Sequence, residues 1–236
     1  MNRKELREQL IFQLNDYLVE KGFKIDAEVS LVKKTKTHDY KVFLLLNTYN
    51  TVMVRDVFPK IKFNDIENPL NKIYAFDQPD SEKKFLLNSV CTVDGGYLAT
   101  KPNLDINDED DVAKLADIIK NYMETIALPF FEKYSDLQTI NQEILANDMP
   151  YEEGVGYTNG LDDFDNITIL RGDSKGVMRR MFIMTYCKDS RYDDFVTCYE
   201  NYLDSLKETN NPETLILKYK KIFNDTKEYL ANLKVD

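Results

Sequence analysis

Residues 42–46 form an uninterrupted apolar run, Val-Phe-Leu-Leu-Leu. A strand with one face in water alternates apolar and polar residues, whereas a strand that is buried on both faces does not alternate. Five residues are also too few for a typical helix. We therefore predict that residues 40–48 form the central strand of a sheet that is covered on both faces. A second strand is predicted at residues 51–58, where Pro59 ends it.

The segment before this strand changes from a helical to an alternating pattern. Between residues 3 and 21, apolar residues recur at spacings of three to four, which predicts an amphipathic helix. They are Leu6, Leu10, Phe12 (less regularly), Leu14, Tyr17 and Leu18. Gly22 follows at the position where a helix is commonly capped. Residues 23–34 then alternate apolar and polar side chains, so we predict a strand with one side in water.

Another pair of strands is predicted near residue 90. Residues 85–93 and 97–100 have strand-like composition, and Asp94-Gly95-Gly96 between them is a hairpin signal. The first hundred residues therefore predict a helix followed by an antiparallel meander of about five strands.

The second half of the chain is dominated by helical periodicity. Asn107 can cap a helix whose first turn is acidic, the sign that the helix dipole favours, and apolar residues recur at helical spacing over residues 112–126. Pro129 is expected to bend or end this helix. Ser135 and Gln138 have the spacing of a capping box, which predicts that a further helix begins there.

Further helical patterns follow at about residues 174–187, 190–208 and 212–234. No flexible linker separates the strand-rich part from the helix-rich part. We therefore predict an α+β fold, in which an antiparallel sheet of about five to six strands packs with helices and the C-terminal half is rich in helix. The whole chain, residues 1–236, is predicted to be a single domain with two packed parts, 1–104 and 105–236.

The net charge of −10 limits the classes of partner. A general nucleic-acid binder needs a basic face that displaces counterions, and an anionic membrane attracts basic segments. We therefore expect neither nucleic acid nor membrane as a partner, whereas a basic protein is compatible with this charge. An acidic surface also keeps a protein soluble without any specific partner, and that interpretation stays open.

The three cysteines, Cys91, Cys187 and Cys198, are odd in number and include no CxxC pair. Their spacing therefore indicates neither a disulfide framework nor a zinc site. The amphipathic N-terminal segment lacks the apolar core of a signal peptide, and no apolar run is long enough to span a membrane. These features predict a cytoplasmic protein.

The sharpest catalytic motif is Gly172-Asp173-Ser174-Lys175-Gly176, which matches GxSxG. A strand-like segment precedes it and a helical segment follows, the context in which a nucleophile elbow exposes its serine. The serine needs a base, but the only histidine of the chain, His38, lies far upstream. The chain order therefore disagrees with the α/β-hydrolase pattern, in which the histidine follows the serine.

A serine–aspartate dyad needs no histidine. The GxSxG segment together with Asp94-Gly95-Gly96 resembles the dyad of patatin-like lipases, which implies Ser174 as the nucleophile and Asp94 as its partner. The order is reversed relative to that family, in which Asp-Gly-Gly follows the serine, and the family's glycine-rich oxyanion loop is missing. The alternative is structural: the glycines of GxSxG flank a capped helix start, and Asp94-Gly95-Gly96 forms a hairpin turn.

A basic island lies between Arg171 and Arg191 in this acidic chain. Arg171, Lys175 and Arg179 are spaced four residues apart and can share one face of a helix beside its N-terminus. Such a face can hold a phosphate or a carboxylate, which makes an anion or nucleotide binder one hypothesis. The alternative is that these side chains pair internally with the acidic loop 152–165.

The acidic clusters lack the spacing of a metal site. The segment that starts at Asp105 begins like a calcium loop, but Asp110 stands where that loop needs glycine and Ala116 stands where it needs glutamate. We therefore predict no metal and no cofactor. A second acidic cluster, also without ligand spacing, consists of Asp162, Asp163 and Asp165.

One arrangement of elements resembles a known group of proteins. An opening helix ends in Glu20-Lys21-Gly22-Phe23-Lys24, strands follow, and a later helix runs into Leu128-Pro129-Phe130-Phe131-Glu132-Lys133-Tyr134. This order resembles a loose group of uncharacterised bacterial α+β domains, some of which occur as immunity-type proteins beside toxin genes. The resemblance covers residues 5–147, brings no catalytic residues with it and implies a protein-binding role.

These observations favour a non-enzymatic cytoplasmic protein that binds a basic partner protein through an acidic surface, with an immunity or antitoxin-like role as the concrete version. The alternatives are a serine hydrolase that uses Ser174 with Asp94, and an anion or nucleotide binder that uses Arg171, Lys175 and Arg179. The sequence does not indicate an oligomeric state. The predicted partner-binding residues are Asp108, Glu109, Asp110, Asp111, Glu152, Glu153, Asp162, Asp163 and Asp165.

Overall fold

The computed structural model describes residues 1–48, 51–75, 91–147, 151–153, 156–157, 170, 175–206 and 212–233. These residues form an α+β fold, which confirms the predicted fold class. The chain divides into two compact units: the sheet unit, Met1–Asn64 with Val93–Ser135, and the helix-rich unit, Asp65–Thr92 with Asp136–Asp236. The units interleave along the chain, and the prediction of a single domain stays a prediction.

The first helix, α1, spans Arg3–Lys21, as predicted. The Asn2 side chain accepts the backbone N–H groups of Lys4 and Glu5, and the Asn2 N–H donates to the Glu5 carboxylate, which completes a capping box. At the other end, Gly22 has a φ of 76°, the left-handed conformation that glycine adopts without steric cost. The buried stripe of α1 consists of Leu6, Leu10, Leu14 and Leu18.

Residues 23–34 do not form the single strand that their alternation predicts. They form β1 (Lys24–Ile25) and β2 (Leu31–Lys34), an antiparallel pair joined by a turn. The Asp26 carboxylate accepts two backbone N–H groups of this turn, and Val29 has a φ of 60°. Alternation alone does not distinguish one long strand from a hairpin, because both arms of a hairpin keep the same period.

β3 (His38–Thr48) and β4 (Val52–Phe63) form a long antiparallel hairpin. Val42 and Leu44 are buried, whereas Leu45 is 36% exposed. The prediction of a strand buried on both faces is therefore wrong, because one face of β3 meets the core and the other carries partly exposed apolar side chains. An antiparallel sheet can have one face in water, so an unbroken apolar run does not require that other elements pack on both faces of the sheet.

β4 continues through Pro59, where the sequence pattern predicts an end. Pro59 lies opposite Val42 of β3. On the side away from β3, the Pro59 carbonyl accepts the N–H of Gly95 at 2.9 Å. The N–H and C=O of one residue point to the same side of an antiparallel strand. The N–H that proline lacks would therefore point away from β3, so Pro59 removes no hydrogen bond from the β3–β4 ladder.

The segment Asp94-Gly95-Gly96 is not the predicted hairpin turn. β5 (Val93–Asp94) pairs with β4, and a 3₁₀ turn at Gly96–Leu98 follows it. A Cβ on Gly95 would lie 2.7 Å from Pro59 Cγ, which is closer than the two atoms can approach. Glycine is therefore needed here for close packing against Pro59.

β6 (Leu104–Ile106) pairs with β4 and completes the sheet. The strand order is β1-β2-β3-β4-β5 with β6 beside β4, and the pairings are antiparallel. This arrangement confirms the predicted antiparallel sheet of five to six strands.

The helix after β6, α3 (Glu109–Tyr122), begins one residue later than its predicted cap implies. Its N-cap is Asp108, whose carboxylate accepts the Asp111 N–H at 3.0 Å. The predicted cap, Asn107, instead donates its side-chain amide to the Asp111 carboxylate. Both asparagine and aspartate are good caps, so sequence preference does not separate two such neighbours.

Pro129 lies inside a continuous helical segment rather than at its end. α3 is followed directly by one turn of π-helix, Met123–Ala127, and then by α4 (Leu128–Tyr134). Proline cannot donate the N–H of a regular helical hydrogen bond. The π turn changes the hydrogen-bond pairing immediately before Pro129, so the chain continues as helix.

The next helix, α5 (Leu137–Asn147), is capped by Asp136, whose carboxylate accepts two backbone N–H groups of the first turn. The predicted capping box at Ser135 is therefore wrong. The Ser135 hydroxyl donates to the Phe131 carbonyl, at the end of the preceding helix. A charged acceptor at Asp136 suits the positive end of the helix dipole better than a hydroxyl does.

The helix-rich unit also contains α2 (Asn64–Tyr74), apart from its first residue, and a small strand pair, β7 (Tyr151–Glu152) with β8 (Gly156–Tyr157). Every residue from 176 to 184 is buried, which makes this stretch a core helix. Within the described ranges, no helix is long and apolar enough to cross a membrane. The C-terminal helices, which confirm the predicted ones, are α6 (Gly176–Tyr186), α7 (Tyr192–Ser205) and α8 (Glu213–Ala231).

Candidate functional site

The outward side of α1 carries two apolar side chains in water. Phe12 is 82% exposed and Val19 is 67% exposed. They are seven residues apart, which is about two helical turns, and therefore lie on one face of the helix. That face is opposite the buried leucine stripe of α1.

Acidic side chains flank these two residues. Glu8 and Asp16 lie one helical turn before and after Phe12, and Glu20 follows Val19; all three carboxylates are exposed. Lys4 Nζ lies 3.9 Å from the Glu8 carboxylate, but a surface pair at this distance contributes little stability. The surface termed here the α1 outer face consists of Glu8, Phe12, Asp16, Val19 and Glu20.

α3 lies beside α1 in the sheet unit. The Gln9 amide donates to the Glu109 carboxylate at 3.4 Å, and the Tyr17 hydroxyl donates to the Glu124 carboxylate at 2.9 Å. Lys21 Nζ also lies 3.1 Å from Glu124. The hydrogen bonds from Lys21 and Tyr17 lower the pKa of Glu124. Burial and the hydrogen bond to Glu124 raise the pKa of Tyr17. The Gln9 contact places the start of α3 next to the N-terminal half of α1, and the Glu124 contacts place the turn after α3 next to the C-terminal half.

The predicted contact residues 108–111 form the cap and the first turn of α3, next to Gln9 of α1. Asp108 is the helix cap, and it and the next two residues are exposed. Hydrogen bonds from Asn107 and Lys114 lower the pKa of Asp111. Carboxylates are stabilised at a helix N-terminus by its positive dipole end, so the helix start accounts for this cluster. Its exposed members add negative charge next to α1.

The other predicted acidic contacts lie elsewhere. Glu152 and Glu153 are exposed and belong to the helix-rich unit. The structure thus places the acidic turn 108–111 next to Gln9 of α1, and Glu152 and Glu153 in a different unit. The predicted contacts that lie outside the described residues are Asp162, Asp163 and Asp165.

Arg179 of the basic island is buried in the helix-rich unit. Its Nε lies 2.6 Å from Glu67 Oε1, and the Thr92 hydroxyl donates to the same carboxylate at 2.9 Å. Lys175 is buried too, and its ammonium donates to the Asn71 side chain at 2.7 Å. Glu67 lies outside the acidic loop that the sequence offers as an internal partner. These contacts to α2 account for both cationic side chains without a bound anion.

Two hypotheses also depend on Arg171 and Ser174, which lie outside the described residues. Asp94, the second member of the proposed serine–aspartate dyad, lies 3.4 Å from Lys60 Nζ and accepts the Gly96 N–H at 3.0 Å. Its carboxylate thus stabilises the turn after β5. The hydrolase and anion-binding hypotheses stay predictions.

A second polar cluster joins α5 to the turn after α6. Arg180 Nη1 donates to Asn141 Oδ1 at 2.6 Å, and Asn141 Nδ2 donates to the Asp189 carboxylate at 2.7 Å. Arg191 donates to the same carboxylate through Nε and Nη2. Burial tends to raise the pKa of Asp189, but the hydrogen bonds from Arg191 and Asn141 outweigh it and hold the pKa at about 2.

Phe12 is counted among the apolar residues of the predicted helix, as a less regular member, and its exposure is not predicted. Phe12 falls midway between Leu10 and Leu14, out of step with the leucine stripe of α1. A large apolar residue that lies off the buried stripe of an amphipathic helix points toward solvent. The exposure of Phe12 could therefore have been predicted from helical periodicity alone.

The part of the chain that the structure describes contains no group of three His, Cys, Asp or Glu side chains that could bind a metal ion. Comparison with protein-family models, with curated proteins and with solved structures finds no match to this chain. The functional interpretation therefore rests on the α1 outer face and on the acidic turn beside it.

Proposed function

We propose that this chain is a non-enzymatic cytoplasmic protein that binds a basic partner protein through the α1 outer face. The observation that carries the proposal is Phe12, an aromatic side chain that is 82% exposed on the side of α1 opposite its buried stripe. Burial of a phenylalanine side chain contributes roughly 1.5–3 kcal/mol. The fold gains little of this from Phe12, and a partner that covers the ring would gain it on binding.

Phe12 and Val19 are suited to anchor an interface. A few residues, often aromatic, contribute most of the affinity of a protein–protein interface. Both side chains project from a helix that is capped at each end and fixed by four buried leucines. An ordered helix loses little conformational entropy on binding, so more of the contact energy appears as affinity.

The charge around these anchors selects the class of partner. Glu8, Asp16 and Glu20 flank the apolar pair, and the exposed Glu109 and Asp110 lie on the neighbouring helix. Complementary potentials speed association and disfavour partners of like charge. The partner that fits therefore presents lysine or arginine side chains around an apolar pocket. Capture of one basic protein by an immunity or antitoxin-like protein is the concrete form of this role.

Affinity capture from native lysate tests the proposal. The full chain is immobilised as wild type, as Phe12→Ser and as Leu217→Ser, and retained proteins are identified by mass spectrometry at low and at high salt. Leu217 is a matched control because it is 58% exposed but lies on α8 in the other unit. We expect wild type and Leu217→Ser to retain a basic protein that Phe12→Ser does not retain. High salt should weaken its binding, because screening shortens the range over which exposed charges interact.

Calorimetry with the purified partner provides the quantitative test. Phe12→Ser should lower the affinity by about 2 kcal/mol or more, roughly 30-fold. The double variant Glu8→Gln/Asp16→Asn should slow association more than it speeds dissociation. A protein retained equally by wild type and Phe12→Ser, or an acidic partner, would overturn the proposal.

A further inference from the structure

An open cleft of about 350 Å³ lies among α6, α7 and α8 in the helix-rich unit. Small-molecule sites in proteins typically occupy roughly 300–1,000 Å³, so this cleft is large enough for a small ligand. It is termed here the α6–α8 cleft. The lining residues that matter below are Met184, Lys188, Asp189, Tyr192, Lys227 and Leu230.

The cleft combines apolar walls with two ammonium groups. The apolar walls that a ligand can reach are Leu230, which is 5% exposed, and the partly exposed Tyr192. The Lys188 side chain is exposed, and its ammonium makes no hydrogen bond or ion pair with any residue that the structure describes. Lys227 Nζ lies 2.5 Å from the Glu200 carboxylate, so the positive charge of Lys227 is partly neutralised. Lys188 therefore supplies the positive charge that is available to a ligand.

The carboxylate of Asp189 does not cancel this charge. It accepts two hydrogen bonds from the Arg191 guanidinium and one from the Asn141 side chain, each at 2.7 Å, and one from the Arg191 backbone N–H at 3.0 Å. A carboxylate held by a guanidinium in this bidentate way is largely neutralised by it. The net charge that the cleft presents is therefore positive, in a chain whose total charge is −10.

The backbone of Lys188 adds a second observation. Its φ is 52°, and its N–H and that of Asp189 close the end of α6 on the carbonyls of Thr185 and Met184. Helices commonly end in this conformation with glycine, whereas a residue with a Cβ is strained there. Lysine at this position thus places an ammonium at the cleft at a cost that glycine would avoid. Strain of this kind concentrates at functional sites.

We propose that the α6–α8 cleft binds a small organic carboxylate with a short apolar body. The carboxylate lies against Lys188 and Lys227, and the apolar body packs on Tyr192 and Leu230. A cationic ligand is disfavoured by the two ammonium groups, and an anion without an apolar body leaves the apolar walls uncovered. This binding site is independent of partner capture by the α1 outer face.

A titration of the ¹⁵N-labelled full chain, followed by amide NMR shifts, tests the proposal with hexanoate as the probe. Hexanol and hexylammonium are matched probes that remove or invert the charge. We expect saturable hexanoate shifts confined to amides near residues 184–192 and 227–231, weaker binding of hexanol, and none of hexylammonium. Lys188→Gln should weaken hexanoate roughly threefold or more and leave hexanol unchanged.

Two control variants sharpen the result. Lys221→Gln removes an exposed lysine of the same helix as Lys227 that pairs with Asp225 and does not line the cleft, so hexanoate binding should be unchanged. Phe12→Ser should bind hexanoate as wild type does, which separates this site from partner binding. No saturable binding, equal binding of hexanoate and hexanol, or an affinity that Lys188→Gln does not alter would each overturn the proposal.

Discussion

Arg179 and Glu67 form an ion pair that is sealed from solvent, with Nε 2.6 Å from Oε1 and both side chains at 0% exposure. The two residues are 112 positions apart, so this pair ties α6 to α2. Removal of one member of a buried ion pair leaves the other charge uncompensated and costs roughly 3–5 kcal/mol. We therefore expect Glu67→Gln to lower the free energy of unfolding by about this amount, as measured by urea denaturation.

Two further variants show whether that loss comes from the unpaired charge. Glu109→Gln removes an exposed carboxylate and should change the free energy of unfolding by less than about 0.5 kcal/mol. The double variant Glu67→Leu/Arg179→Met replaces both charges with apolar side chains and should recover most of the loss. A Glu67→Gln variant as stable as wild type would mean that the Arg179 guanidinium has another sufficient acceptor.

Asp189 predicts a specific sensitivity to acid. Burial tends to raise its pKa, but the hydrogen bonds from Arg191 and Asn141 hold the pKa at about 2, below its usual value of 3.8. A carboxyl with a depressed pKa stabilises the fold above its unfolded pKa, and this contribution is lost as the pH falls from about 4 to about 2. Because Arg191 is partly exposed, we expect a contribution of about 1–2 kcal/mol.

The measurement compares wild type with Asp189→Asn in urea at several pH values. The difference in unfolding free energy should be largest near neutral pH and should shrink toward pH 2, because protonated Asp189 and asparagine carry the same charge. A difference that stays constant over this range would show that the carboxylate charge is not what stabilises the cluster.

Lys188 predicts a substitution that stabilises the fold. Its φ of 52° is left-handed, and glycine adopts this conformation without the clash that a Cβ causes. Lys188→Gly should raise the free energy of unfolding by about 0.5–1 kcal/mol, measured by thermal or urea denaturation. Gly22→Ala is the opposite control, because Gly22 has a φ of 76° and alanine there should destabilise the fold. Loss of stability in Lys188→Gly would mean that the lysine side chain makes a stabilising contact.

Most of the helices could be predicted because helical periodicity is a local property of the sequence. The leucine stripe marks α1, and the caps at Asn2 and Gly22 fix its ends. The predicted end of β4 at Pro59 was wrong. The effect of a proline depends on which neighbouring strand its missing N–H would face, and pairing between distant segments determines this. The Glu67–Arg179 pair could not be predicted for the same reason, since no local pattern links residues that are 112 positions apart.

The candidate site could be predicted only in part. The acidic turn 108–111 is visible in the sequence, because several adjacent carboxylates before an apolar stripe are typical of a helix start. Its position beside α1 was not predictable, since it depends on tertiary contacts such as that from Gln9 to Glu109. The pairing of Arg179 with Glu67 was not predicted either, because spacing shows which residues share a helical face, but not whether that face is buried or what it packs against.

Leu10 and Phe12 lie two residues apart on α1 and provide the most direct test of its outer face, because Leu10 is 0% exposed and Phe12 is 82% exposed. Leu10→Ala opens a cavity in the core and should lower the free energy of unfolding by roughly 2–5 kcal/mol. Phe12→Ala should change it by less than about 0.5 kcal/mol, since the ring has little packing to lose and alanine favours helix. Urea denaturation of both variants measures the difference. If Phe12→Ala destabilises the fold by more than about 1 kcal/mol, the ring serves packing rather than recognition, and the partner-binding role of α1 loses its anchor.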